Sequence, residues 1–165
     1  MFDQQDAIPS TQDVLSKQLQ QRGFIIKPYY LRKSSFQLGY QLTINGFQLV
    51  YRLEGNTVIF IIYRRMSARN NLKNPFLVFD AFLYLLSSIP EVHEVKGSAD
   101  ALQACFTNPL STEKLKVIYK QWFNGQTSHW EHGQEWLALQ LSDYRPYFPL
   151  KKLQSIIHQH LQTNH

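Results

Sequence analysis

A chain of 165 residues, 44% apolar and 18% charged, has the material for one hydrophobic core and too many apolar side chains for global disorder. No apolar run reaches the ~20 residues that span a bilayer, and one cysteine, Cys105, excludes an internal disulfide. The net charge of +5 is uneven: residues 17–73 hold ten bases against one acid, Glu54, and residues 74–165 hold seven bases against eight acids.

Residues 1–9 read as a flexible lead-in, polar and without the basic-then-apolar design of a signal peptide, which predicts a cytoplasmic protein. The pattern then predicts a single compact α+β domain over 10–162, with a flexible end at 163–165. Ser10 is placed to cap a first helix and Gly23 to stop it; Val14, Leu15 and Leu19 give that helix a thin stripe suited to weak packing at an edge. Residues 24–32 read as an edge strand or irregular arm, because Pro28 lacks a ladder donor.

From Phe36 to Arg65 the chain reads as a three-stranded antiparallel β-meander. Phe36, Leu38, Tyr40, Leu42 and Ile44 alternate with polar residues or glycine, and Asn45-Gly46 supplies the positive φ angles of a two-residue type I′ turn. That turn pairs Ile44 with Phe47, Leu42 with Leu49, Tyr40 with Tyr51 and Leu38 with Leu53, so turn and pattern demand one register. Gly55-Asn56 closes a second hairpin, placing Val58, Phe60 and Ile62 beside Leu53, Tyr51 and Leu49. The apolar face so formed needs a cover. Asn74-Pro75 starts a helix to Ser88 that is apolar nearly all round, and it is the element predicted to seal the sheet. Asp80 within it is either buried against Arg64 or exposed to solvent near the helix start.

A short extended segment is expected over 91–96, with Gly97 as a turn, and a short helix over 99–106. A helix over 112–123, capped by Ser111, carries Leu115, Ile118, Tyr119, Trp122 and Phe123 at helical spacing. A polar loop, 126–134, precedes a strand bearing Leu137, Leu139 and Leu141. The aromatic turn Tyr144-Arg145-Pro146-Tyr147-Phe148-Pro149 leads to a last amphipathic helix with Leu150, Leu153, Ile156, Ile157 and Leu161.

Sites of chemistry are sparse. The chain has no GxxxxGK[ST], GxGxxG or GxSxG motif. His129 and His132, like His158 and His160, are too few to complete a four-ligand zinc site, and Cys105 sits in an apolar context suited to packing. No enzyme activity and no cofactor are expected. The segment from Asn45 to Arg52 lacks the basic residue before its glycine that an RNA-recognition strand requires, and its aromatics share a face with leucines.

Two segments together resemble the low-calcium-response protein R (LcrR) family of small cytosolic proteins in bacterial type III secretion systems. One is the hairpin, its basic sequel and Leu72-Lys73-Asn74-Pro75-Phe76. The other is Leu110-Ser111-Thr112-Glu113-Lys114-Leu115, then Tyr119-Lys120-Gln121-Trp122, then Glu135-Trp136-Leu137-Ala138-Leu139. The resemblance implies a regulatory or chaperone-like protein without catalysis. Secretion chaperones are typically acidic dimers, whereas this chain has a pI near 9.3, which favours docking on an acidic protein surface. Arg52, Arg65, Arg69 and Lys73 are the expected electrostatic contacts, and Trp130 is either an anchor or a loop residue packed on its own domain. Nucleic-acid binding through the same basic half is the alternative, an idle solvated surface is the bland account, and homodimerisation is left open.

Overall fold

The computed structural model describes residues 12–66, 74–98 and 112–163. In chain order these form α1 (Val14–Gln21), β1 (Lys27–Tyr30), β2 (Gln37–Ile44), β3 (Phe47–Glu54), β4 (Thr57–Arg65) and α2 (Pro75–Ser87). There follow β5 (Glu94–Ser98), α3 (Thr112–Phe123), β6 (Gln126–Glu131), β7 (Gln134–Gln140), a 3-10 turn (Leu141–Asp143) and α4 (Leu150–Thr163). The strands make one seven-stranded sheet in the order β1-β2-β3-β4-β5-β7-β6, antiparallel except where β4 meets β5. The fold is α+β, as the pattern predicts, but the meander is the first part of a larger sheet.

The first hairpin has the predicted register: Tyr40 faces Tyr51, Leu42 faces Leu49 and Ile44 faces Phe47. Asn45 and Gly46 take φ angles of 49° and 86°, as a type I′ turn requires. The second hairpin departs from expectation. A bulge sets Tyr51 opposite Phe60 but Val50 opposite Ile62, so Tyr63, not Ile62, faces Leu49. One extra residue reverses the alternation, moving Tyr63 and Arg65 onto the apolar face and Ile62 and Arg64 onto the other.

Helix α2 seals the apolar face, capped by Asn74, whose Oδ1 accepts from the Phe76 amide at 2.8 Å. Phe79 and Phe82 pack on Phe60 with ring centroids 5.4 and 5.6 Å apart, and the Tyr63 hydroxyl donates to the Pro75 carbonyl at 2.6 Å. Phe79 also meets Tyr119 and Phe123 of α3, which carries the core beyond the meander.

The first helix is better anchored than its thin stripe suggests. Leu15 and Leu19 are fully buried, and Ser16 and Tyr51 share a buried hydroxyl–hydroxyl hydrogen bond of 2.7 Å. Asp13 caps it by accepting from the Ser16 amide; Ser10, the predicted cap, lies outside the described residues, as do Ser111, Cys105 and the predicted helix over 99–106. Gly23 ends the helix at φ 99°, and β1 with Pro28 is an edge strand, both as predicted.

Two further expectations are overturned. Gly97 is not a turn but lies inside β5, opposite Leu137. The supposed polar loop over 126–134 is β6 and a tight turn at His132-Gly133, both with positive φ. Every residue of β6 is exposed, so the strand has no apolar-polar alternation by which to be recognised.

Candidate docking groove

Asp80 is fully buried in mid-α2, but Arg64 is not its partner: Arg64 projects from the opposite sheet face and donates to Gln48 Oε1 at 2.6 Å. The Asp80 carboxylate instead holds the aromatic turn. Oδ1 accepts from the Tyr144 hydroxyl, and Oδ2 accepts from the Tyr147 and Phe148 amides at 2.9 Å each. Pro146 and Pro149 have no amide hydrogen to give, so Asp80 takes both donors lying between them. Burial raises the Asp80 pKa above the usual carboxylate range, and the hydrogen bonds from Phe148, Tyr144 and Tyr147 offset part of that rise.

This tether fixes an aromatic shelf. Tyr147 stacks on Trp122 of α3 with centroids 4.1 Å apart and planes 2° from parallel, and Phe148 meets Trp122 edge-on. Trp122 in turn packs on Phe76 of the core. Between the shelf and the end of α2 lies an open groove of about 630 Å³, walled by Tyr84, Ser87, Leu141, Tyr147, Phe148 and Leu150. Tyr147 and Leu150 are each 49% exposed along it. Nearby in sequence, Arg145, Lys151 and Lys152 are exposed, against one exposed acid, Asp143. A shallow, largely apolar, pre-formed surface with cationic neighbours has the character of surfaces that can hold a peptide or protein.

The residues singled out from sequence are dispersed. Trp130, on edge strand β6, is 63% exposed, and Lys116 Nζ lies 5.1 Å from its ring centroid. Lys116 and Lys120 also reach the buried carboxylate of Glu135, at 3.1 and 3.0 Å, and Thr127 donates to it. The Thr127 hydroxyl and then Lys120 hold the Glu135 pKa down to about 2, and Glu135 first among its partners raises that of Lys116. Arg52 is exposed on the open sheet face, with Nε donating to Glu54 at 2.7 Å. Arg65 is half-buried on the covered face, its guanidinium 5.0 Å from the Phe47 ring centroid. Arg52 and Arg65 therefore point from opposite faces, with Trp130 at the far edge of the sheet. Arg69 and Lys73 lie outside the described residues.

Sequence reasoning saw Tyr144–Pro149 only as an aromatic turn. The density of rings between two prolines was the available signal; the Asp80 tether, 64 to 68 positions away in sequence, was not. Among the described residues no group of three or more His, Cys, Asp or Glu is placed to hold a metal ion, and no helix is long and apolar enough to cross a membrane.

Comparison with known proteins gives these features a family. The chain is 27% identical to the low calcium response locus protein R of Yersinia enterocolitica over 151 residues, covering 87% of this chain and 96% of that protein. It is 27% identical to the proteins of the same name from Yersinia pestis and Yersinia pseudotuberculosis over 150 residues, covering 87% of this chain and 95% of each. Residues 12–155 match the family described as type III secretion system regulator (LcrR), and the chain belongs to that family.

Proposed function

We propose that the protein regulates type III secretion by binding a protein partner in the cytoplasm, with the Tyr147–Leu150 groove as its docking surface and no catalytic step. The observation that carries this reading is the stacked, half-exposed Tyr147, held by Trp122 beneath and by Asp80 through its amide. A large ring already fixed in place loses little freedom on binding, and such aromatics are common anchors of protein interfaces. Arg145, Lys151 and Lys152 favour a partner whose contact surface is acidic.

Arg65, Arg69, Lys73 and Trp130 are proposed as further contacts, with Arg52 contributing least because Glu54 already offsets its charge. The test is cross-linking and affinity capture of the tagged chain in a secreting bacterium. Tyr147→Ser with Leu150→Asp is expected to lose the captured partner without losing the fold. Full retention of the partner by that double variant overturns the groove, and full retention by an Arg65/Arg69/Lys73 alanine triple overturns the basic contact.

The alternative, nucleic-acid binding, draws on Lys27, Arg52 and Arg64 sharing the open sheet face. The bonds of Arg52 to Glu54 and of Arg64 to Gln48 weigh against it. Gel shifts that appear at low salt and vanish as salt rises would favour this alternative.

A further inference from the structure

At the β1 edge of the sheet, the tip joining β1 to β2, none of whose residues lines the groove, is an apolar projection in a cationic setting. Residues 30–37 are all exposed. They include three large apolar side chains: Tyr30 at 44%, Leu31 at 46% and Phe36 at 63% exposure. Arg32 and Lys33 stand between them.

The tip is built rather than slack. The Leu31 amide donates to the Phe36 carbonyl at 2.8 Å, the Ser34 amide and hydroxyl both donate to the Leu31 carbonyl, and the Phe36 amide donates to Ser34 Oγ at 3.1 Å. Arg32 adopts φ 47°, which turns the chain at its apex. Left in water, Tyr30, Leu31 and Phe36 contribute no burial to folding, and three such side chains grouped on one ordered turn are the kind of exposed apolar surface that marks a contact site.

Charge narrows the partner. Between Asp13 and Glu54 the sequence has six bases and no acid. Arg52 is paired with Glu54 and Arg22 is bonded to Gln18, whereas among the described residues no carboxylate pairs with Lys27, Arg32 or Lys33. Shape narrows it further. A projecting tip needs a pre-formed cavity on a protein surface, but a bilayer interface yields to an apolar wedge while its headgroups pair with flanking cations.

We propose that the β1–β2 tip is a peripheral membrane contact, in which Leu31, Phe36 and Tyr30 enter the interface of an anionic bilayer and Arg32 and Lys33 engage phospholipid headgroups. The contact is reversible and salt-sensitive, since a few interfacial side chains and unscreened charges supply all of it. It does not depend on the groove.

The experiment is flotation of the full-length chain with vesicles of mixed phosphatidylglycerol and phosphatidylethanolamine, and with vesicles of phosphatidylcholine alone. Binding is expected to the anionic vesicles only and to fall as salt is raised. Arg32→Gln with Lys33→Gln is expected to weaken it roughly thirtyfold, at about a fivefold loss per cation, and Leu31→Ser with Phe36→Ser to weaken it at least as much. All four side chains are exposed, so these variants should keep the parent melting temperature. As a measurement that does not need those variants, Phe36→Trp should add an indole emission that shifts to the blue with anionic vesicles.

Failure of the parent chain to float with anionic vesicles overturns the proposal. So does binding that both double variants retain, a Phe36→Trp emission that does not move, or a tip that proves necessary for capturing a protein while vesicles are ignored. Tyr147→Ser with Leu150→Asp should leave flotation intact, which separates failure here from failure of the docking groove.

Discussion

Tyr144 donates one hydroxyl hydrogen toward both the carboxylate and the main-chain carbonyl of Asp80, the latter at 3.0 Å, across 64 positions of sequence. The contact joins the helix that seals the sheet to the turn that shapes the groove. An unpaired carboxylate in a core is costly, and this one is tolerated because three donors converge on it. The wall of the groove is thereby fixed from within the core.

Asp80→Ala should remove the acceptor for the Tyr147 and Phe148 amides at once and leave the Tyr144 hydroxyl only the main-chain carbonyl of residue 80. Stranding buried donors costs about 1–3 kcal/mol each, so a loss of about 3 kcal/mol or more is expected in urea unfolding. Asp80→Asn keeps one carbonyl oxygen for the two amides and should cost less, about 1 kcal/mol. An Asn variant as stable as the parent would mean that the turn is held by its ring contacts alone.

Gly39 is packed by the chain around it and not by a positive φ. A methyl group there would overlap the carbonyl oxygen of Tyr51 on the neighbouring strand and press on Ile61. Gly39→Ala is expected to force β2 from β3 and cost about 3 kcal/mol, read as a lowered urea midpoint. Gly133→Ala is the control in open space, although its φ of +78° still carries backbone strain.

The parts of the fold legible in sequence are those specified locally and twice over. At Asn45-Gly46 the turn residues and the alternation on both strands ask for one register, and the hairpin has it. At Asn74-Pro75 a cap and a fixed φ coincide with the start of α2. Features resting on one extra residue or on distant partners were hidden. The bulge that inserts Ile61 opposite Val50–Tyr51 leaves no compositional mark yet moves Ile62 and Arg64 to the other face. Ser16 reads as a polar helix position until Tyr51 arrives from the sheet. Strand β6 is exposed throughout and so resembles a loop. The groove was half visible: the rings of Tyr144, Tyr147 and Phe148 announce an aromatic surface, but its anchor is in another helix.

Asp80 and Glu135, the buried carboxylates among the described residues, should pull acid stability in opposite directions. Glu135 has a folded pKa near 2, below its ordinary 4.5, so its contribution is fully present above pH 4.5 and is lost as pH falls toward 2. Asp80 has a raised pKa; it favours the folded state most below its ordinary 3.8, and that benefit fades as pH rises through the raised value. Glu135→Gln should therefore lower the urea midpoint at neutral pH by an amount that shrinks as pH is lowered toward 2. Asp80→Asn should show its smallest deficit at neutral pH and a larger one in acid. A pH-independent gap in both variants would remove the assignment.

The Trp122–Tyr147 stack allows the proposed docking to be tested apart from stability. Tyr147 is half-exposed, so Tyr147→Ala should cost about 1 kcal/mol, whereas Trp122 also packs on Phe76 and Phe123, so Trp122→Ala should cost about 3 kcal/mol. A double-mutant cycle should return a coupling of about 0.5–1.5 kcal/mol, the usual range for a ring pair. If the stack presents Tyr147 to a partner, Trp122→Phe should keep most of the stability yet weaken capture, because a smaller ring supports less of the tyrosine face. Equal capture by the parent and Trp122→Phe chains, with Tyr147→Ala also unimpaired, would move the docking surface elsewhere on the molecule.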